Sequence, residues 1–299
     1  MSVLALLLAM LLERGLTRLF HLREPRWLDG YFDRAARALS GRPPALAVAG
    51  VAAALLLPVL PVALADRALG SHLFGLPQLA LAVLVLLMSF GPHDLRDEVD
   101  DYVDALDRGD REEAGRRAKE LLEGDAASRG AGLREAVEEA IFVQANNRIF
   151  GVIFWFMLLG PAGAWLFRVS DLMRRRAAFE TARRGGAAQP GREAPALVHG
   201  LLAWVPARLA AFSYALAGGF EDAIGNWRIA VDRASRGLLD RTEDLLARVG
   251  KGSLQPSLAG AANEGLDAAT ARGAWRIVAR SAWIWVAVIA LLVLVGEAA

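Results

Sequence analysis

The sequence predicts an all-α integral membrane protein with spanning helices, a re-entrant helical hairpin and cytoplasmic helices between them. Three observations carry this. Hydrophobic residues make up 55% of the 299 residues and mean hydropathy is +0.33, yet 22% of residues are charged. That balance suits a membrane chain with large aqueous segments. Several charge-free runs are long enough to span a bilayer. No strand-like alternation of useful length interrupts the helical patterning.

The same composition removes several function classes. The 34 basic and 33 acidic residues nearly cancel and interleave, so no basic stripe points to nucleic acid. No cysteine is present, which excludes a disulfide framework and thiolate chemistry. His21, His72, His93 and His199 show no metal-ligand spacing.

In chain order, the single membrane-embedded domain over 1–299 reads as follows. Residues 1–12 are apolar but lack the basic start and small-residue cleavage site of a signal peptide, so they read as an uncleaved helix. Residues 13–44 are cytoplasmic or interfacial; the basic stretch 23–42, with interleaved aromatics, suits a lipid surface or a plain connector. Residues 45–65 span, kinked at Pro58 and Pro61, and 73–90 span back. Arg34, Arg37 and Arg42 precede this pair and Arg96, Arg108 and Arg111 follow it, which places both flanks in the cytoplasm.

Residues 93–148 read as cytoplasmic helices, with a turn at Gly109-Asp110. Residues 149–169 either cross once or turn back at Gly160-Pro161-Ala162-Gly163; the arginines Arg174 to Arg176 just beyond favour turning back. A Gly/Pro/Ala-rich loop covers 181–197. Residues 198–217 are membrane-associated although Arg208 lies within them, 220–274 form cytoplasmic helices and a loop (250–274), and 277–295 span.

Candidate chemistry concentrates where polar residues enter the apolar run. Gln144, Asn146, Asn147 and Arg148, with Arg208 further on, offer amide and cation donors suited to an anionic small molecule. The structural alternative is that they cap a helix and anchor it. Trp155 and Trp204 supply apolar walls or interface anchors. Asp94, Asp97 and Asp101 share a helix face and, with Glu138, Glu139 and Asp125, are the candidate Mg²⁺ ligands; the alternative is a solvated acidic face. P-loop, GxGxxG, HExxH and GxSxG motifs are missing. Ser170-Asp171 and Ser213 show no histidine at convincing range. Arg174 to Arg176 read as topological anchors, with anionic lipid head groups as the alternative.

The segments LLERGLTRLF, GVIFWFMLLGPAGAW, LAWVPARLAAFSYAL and RSAWIWVAVIALLVL occur in the order and spacing of the AmpE family, and the whole length resembles it. The resemblance implies an inner-membrane protein linked to β-lactamase induction and cell-wall metabolite signalling, with a cytosolic amidase as associated partner. AmpE is in turn similar to the adenosylcobinamide-phosphate synthases, membrane enzymes that form an amide with ATP and Mg²⁺. Gly109-Asp110 with Ala114 and Arg116, and Trp204 to Leu209, resemble motifs of those synthases. Gln144 and Arg148, however, stand where the synthases' AENxxD motif carries its acids, and His199-Gly200 stand where they carry paired aspartates. An amide and a cation do not replace carboxylates around a divalent ion. The first expectation is therefore a non-catalytic regulatory or ligand-sensing protein. A divergent ATP- and Mg²⁺-dependent ligase and a membrane scaffold for cytosolic partners are the alternatives.

Overall fold

The computed structural model describes residues 8–9, 26–69, 76–90, 95–122, 132–183, 193–232, 238–258 and 266–298. Most of the N-terminal helix expected over 1–12, and the acids Asp94 and Asp125, lie outside them. Among the described residues there is no strand. After a 3-10 turn at Arg26–Leu28, the helices are α1 (Asp29–Leu39), α2 (Pro44–Leu69), α3 (Leu76–Phe90), α4 (Leu95–Asp107), α5 (Arg111–Leu121) and α6 (Leu133–Ala145). A π-helical turn, Asn146–Phe150, leads into α7 (Gly151–Arg183). Then come α8 (Ala194–Ala217), α9 (Phe220–Asp232), α10 (Leu238–Leu258) and α11 (Leu266–Ala298).

Among the described residues, five helical stretches are long and apolar enough to cross a membrane. They are α2, the stretch opening with α3, the run from α6 through α7, α8, and most of α11. The protein is a multi-pass membrane protein. Contacts sort the chain into two units, one of residues 1–92, 147–204 and 237–239, the other of residues 93–146, 205–236 and 240–299.

In the first unit, α2 has 26 residues, or about 39 Å at 1.5 Å per residue, enough to cross a hydrocarbon core of about 30 Å with tilt. Ala47, Val51, Leu55 and Val59, each four apart, form its buried stripe. Leu56, Leu57, Leu60 and Leu64 are exposed, as a lipid-facing surface requires. The Tyr31 hydroxyl of α1 donates to the Ala54 carbonyl at 2.6 Å, laying α1 against α2.

Helix α7 breaks at Gly160, whose φ of 66° and ψ of −154° are open to glycine and strained for other residues. Of the two alternatives for 149–169, the chain doubles back. The His199 Nε2 atom lies 3.4 Å from Asn147 Oδ1 and 3.8 Å from Asp171 Oδ1. Those two residues would stand about 36 Å apart on a straight helix. A methyl group on Gly163 would collide with the Trp155 carbonyl and lie 2.7 Å from Leu159 Cβ, so only glycine permits so close an approach of the limbs. The tip lies beside Asp66, the Trp165 indole donates to the Pro58 carbonyl at 3.1 Å, and Arg176 meets Asp33 of α1. The returning limb therefore runs antiparallel to α2, and the turn reaches the Asp66 end of α2 rather than stopping at half depth.

In the second unit, α4 and α5 form a helical hairpin through Gly109 (φ 72°), and Asp110 caps α5 by accepting from the Glu113 amide at 3.0 Å. Tyr214 of α8 donates to the Phe142 carbonyl of α6 at 2.9 Å, with ring centroids 5.0 Å apart. Much of the loop expected over 250–274 is helix: α10 runs to Leu258 and α11 begins at Leu266. The loop expected over 181–197 is likewise shortened by α7, which runs to Arg183, and α8, which begins at Ala194.

Candidate functional site

The polar residues at the mouth of the apolar run are inside a continuous helix and buried. Gln144 is 5% exposed, Asn146 0%, Asn147 2% and Arg148 8%. They are therefore not capping residues at a helix end. Asn146 to Phe150 form the π turn itself. Such turns are rare in helices and recur at functional sites, because the extra residue re-aims side chains that α-helical spacing would point elsewhere.

One member of this turn joins a buried cluster that the sequence reading missed. Asp171, on the returning limb, is 0% exposed. It accepts from Arg174 at 2.8 Å and Arg175 at 2.7 Å, and Arg168 lies at 3.5 Å. Arg174 and Arg175 thus do more than mark a membrane face. Arg176 points away and makes a two-bonded pair with Asp33, at 2.9 and 2.8 Å. The clue to Asp171 was present in its own helix, because arginines at positions −3, +3 and +4 fall on one face.

His199 corrects the expectation that Ser170-Asp171 has no histidine in range. Its Nδ1 is 2.9 Å from Ser170 Oγ, and its Nε2 faces Asn147 and Asp171. No local signal connects His199 to these residues; only the folded hairpin and α8 bring them together. The trio resembles a nucleophilic triad in residue types alone. Ser170 Oγ donates to the Phe167 carbonyl at 2.7 Å, the His199–Asp171 separation exceeds a hydrogen bond, and all three side chains are buried. The cluster ties α8 to both limbs of the hairpin.

The other candidate residues are placed as follows. The half-buried Trp155 donates its indole N–H to the Leu202 carbonyl at 3.0 Å. That carbonyl is left without its helical donor because Pro206, four residues on, has no N–H. Trp155 is thus a tie between α7 and α8 rather than a plain wall. Trp204 is 42% exposed, and Arg208 is half-buried in α8.

Among the described candidate metal acids, Asp101, Glu138 and Glu139 face separate cations. Asp101 pairs with Arg117 at 3.0 Å. Buried Glu138 faces Arg134 at 3.5 Å and accepts from the Thr270 hydroxyl, whereas Glu139 turns to Lys251 at 3.5 Å. As helix neighbours, Glu138 and Glu139 point about 100° apart. Asp97 lies in the first turn of α4. Among the described residues, no group of three or more acids or histidines is placed to hold a metal ion. The described acids do not converge on a Mg²⁺–nucleotide site.

A helical, multi-pass membrane protein with a buried polar cluster between the limbs of a hairpin is the class defined so far. The family model described as "Regulatory signalling modulator protein AmpE" matches residues 1–298, and the chain belongs to that family. It is also similar to two proteins named "Cobalamin biosynthesis protein CobD". The one from Stutzerimonas stutzeri is 34% identical over 155 residues, covering 50% of this chain and 48% of that protein, so the chain matches about half of its length. The one from Chromobacterium violaceum is 28% identical over 271 residues, covering 82% of this chain and 80% of that protein. No solved structure matches the chain.

Proposed function

We propose that this chain is a regulatory, ligand-sensing protein of the bacterial inner membrane that acts in β-lactamase induction without catalysis. The observation that carries this reading is the chemistry of the π turn. Where an ATP- and Mg²⁺-dependent relative needs carboxylates, this chain buries Gln144, Asn146, Asn147 and Arg148. Their amide N–H groups and the guanidinium donate to anions, and the set brings no carboxylate to neutralise a divalent cation. The proposed ligand is an anionic small molecule, with Arg148 as its cation. Membership of the AmpE family supports the regulatory role.

The similarity to two cobalamin biosynthesis proteins favours a second reading, a divergent ATP- and Mg²⁺-dependent ligase using Glu138, Glu139 and the α4 acids. Calorimetry of the detergent-purified protein with ATP, with and without Mg²⁺, separates the two. The sensor reading expects no nucleotide binding, and it expects Arg148→Glu to abolish β-lactamase induction at normal protein levels. Mg²⁺-dependent ATP binding that disappears in Glu138→Gln/Glu139→Gln overturns it in favour of the ligase. Unchanged induction in the Arg148 variant removes the proposed ligand site.

A further inference from the structure

Within the first unit, a cavity of about 290 Å³ lies among α1, the first turns of α2, the end of α7 and the start of α8. It is separate from the Asp171 cluster. One wall is apolar, from Phe32, Leu39, Val51 and Met173. The other is charged, with Arg37, Arg176 and Arg183 against Asp33 and Glu180, which leaves one positive charge in excess. The two carboxylates converge on Arg176, Asp33 through two short bonds and Glu180 at 3.5 Å. The excess therefore falls on Arg37 and Arg183, both exposed and neither with a carboxylate partner among the described residues.

The cavity's position defines what enters it. Helix α2 begins at Pro44, and Val51 lies seven residues, or about 10 Å, into it. Arg37 and Ser40 precede that start. The cavity thus straddles the level where lipid head groups give way to acyl chains, with its cations on the aqueous side and its apolar wall on the hydrocarbon side. Its volume is at the lower end of small-molecule pockets, roughly 300–1,000 Å³. That accommodates a head group and the top of a chain, not a whole lipid.

We propose that this cavity binds the phosphodiester head group of an anionic phospholipid, with Arg37 and Arg183 as the phosphate-contacting cations and Val51 and Met173 against the acyl chain. Basic pockets beside spanning helices recognise anionic lipids in this way, through charge together with hydrocarbon. A soluble phosphate ester shares the charge but has no use for the apolar wall.

The test is native mass spectrometry of the full chain from detergent with equal amounts of phosphatidylglycerol and phosphatidylcholine. The wild type retains phosphatidylglycerol at least tenfold over phosphatidylcholine. Arg37→Gln/Arg183→Gln loses that preference. Ala36→Trp, which fills the cavity without touching a charge, loses it as well, and so separates the cavity from general surface attraction. Glycerol phosphate at millimolar concentration leaves the bound lipid in place. Equal retention of both lipids, or a preference that survives both variants, overturns the proposal. Displacement by glycerol phosphate overturns the lipid assignment and makes the cavity a soluble-phosphate site.

Discussion

At Leu202 a proline four residues further on leaves a carbonyl without its helical donor, and the Trp155 indole supplies one from another helix at 3.0 Å. In hydrocarbon no water replaces that bond. Trp155→Phe keeps the ring and removes the donor, so it destabilises the detergent-solubilised protein by about 0.6–1.5 kcal/mol. In a Pro206→Ala background the helix satisfies Leu202 itself, and the cost of Trp155→Phe falls toward zero. A thermal-unfolding double-mutant cycle measures the difference, and a cost independent of Pro206 rejects the account. Asp171 has a larger stake. Asp171→Asn removes the carboxylate on which three buried or half-buried arginines converge and destabilises by about 3–5 kcal/mol. Ser170→Ala removes the hydroxyl that bonds both the Phe167 carbonyl and His199 Nδ1, a loss of about 1–3 kcal/mol, and leaves induction intact. Loss of induction in a stable Ser170→Ala protein would revive the triad reading. Half of this cluster was legible, because Arg168, Asp171, Arg174 and Arg175 share a helix face in the sequence. The other half was not, because His199 arrives from α8 by tertiary folding alone.

At the scale of elements, apolar runs and their breaks were easy to read and packing glycines were not. Gly160 marks a turn that follows from backbone chemistry, whereas Pro58 and Pro61, expected to kink α2, lie inside one continuous helix. Gly250 and Gly252, by contrast, read as loop residues and lie in α10. A methyl group on Gly250 would run into the Phe142 ring, and one on Gly252 would come within 2.8 Å of the Asp222 carbonyl. They are there for close helix approach, which composition does not distinguish from a loop. The α4–α5 hairpin was legible to the residue, since Gly109-Asp110 is both turn and cap. Its α5 helix also has a readable pH response. Hydrogen bonds from Arg116 and Arg117 hold the Glu113 carboxyl below the ordinary glutamate range. The resulting stability is present above the unfolded glutamate pKa and is lost as pH falls through the lowered folded value. Glu113→Gln therefore lowers the melting temperature slightly at pH 7 and leaves it unchanged at the most acidic pH the fold survives. An equal effect at both pH values contradicts the assignment.

For the whole molecule, charge and the hairpin together set the topology. Arg176 pairs with Asp33 of α1, so the end of the returning limb shares a side with the start of α2 and with Arg34, Arg37 and Arg42. The hairpin tip lies beside Asp66 at the opposite end of α2. A single crossing by 149–169 would have put Arg174 to Arg176 on the far side from those arginines; doubling back keeps all six together. The positive-inside rule predicts that this side faces the cytoplasm. The chain has no cysteine, so single cysteines report without background. With a membrane-impermeant maleimide on intact spheroplasts, Ala68→Cys at the end of α2 labels from outside. Ala178→Cys, just past the arginines, labels only after the membrane is opened. The reverse pattern inverts the orientation while leaving the hairpin intact. Labelling of both from outside breaks the hairpin itself, because it requires α2 and the returning limb to end on the same side. The two failures separate the charge rule, which gives direction, from the fold, which gives pairing.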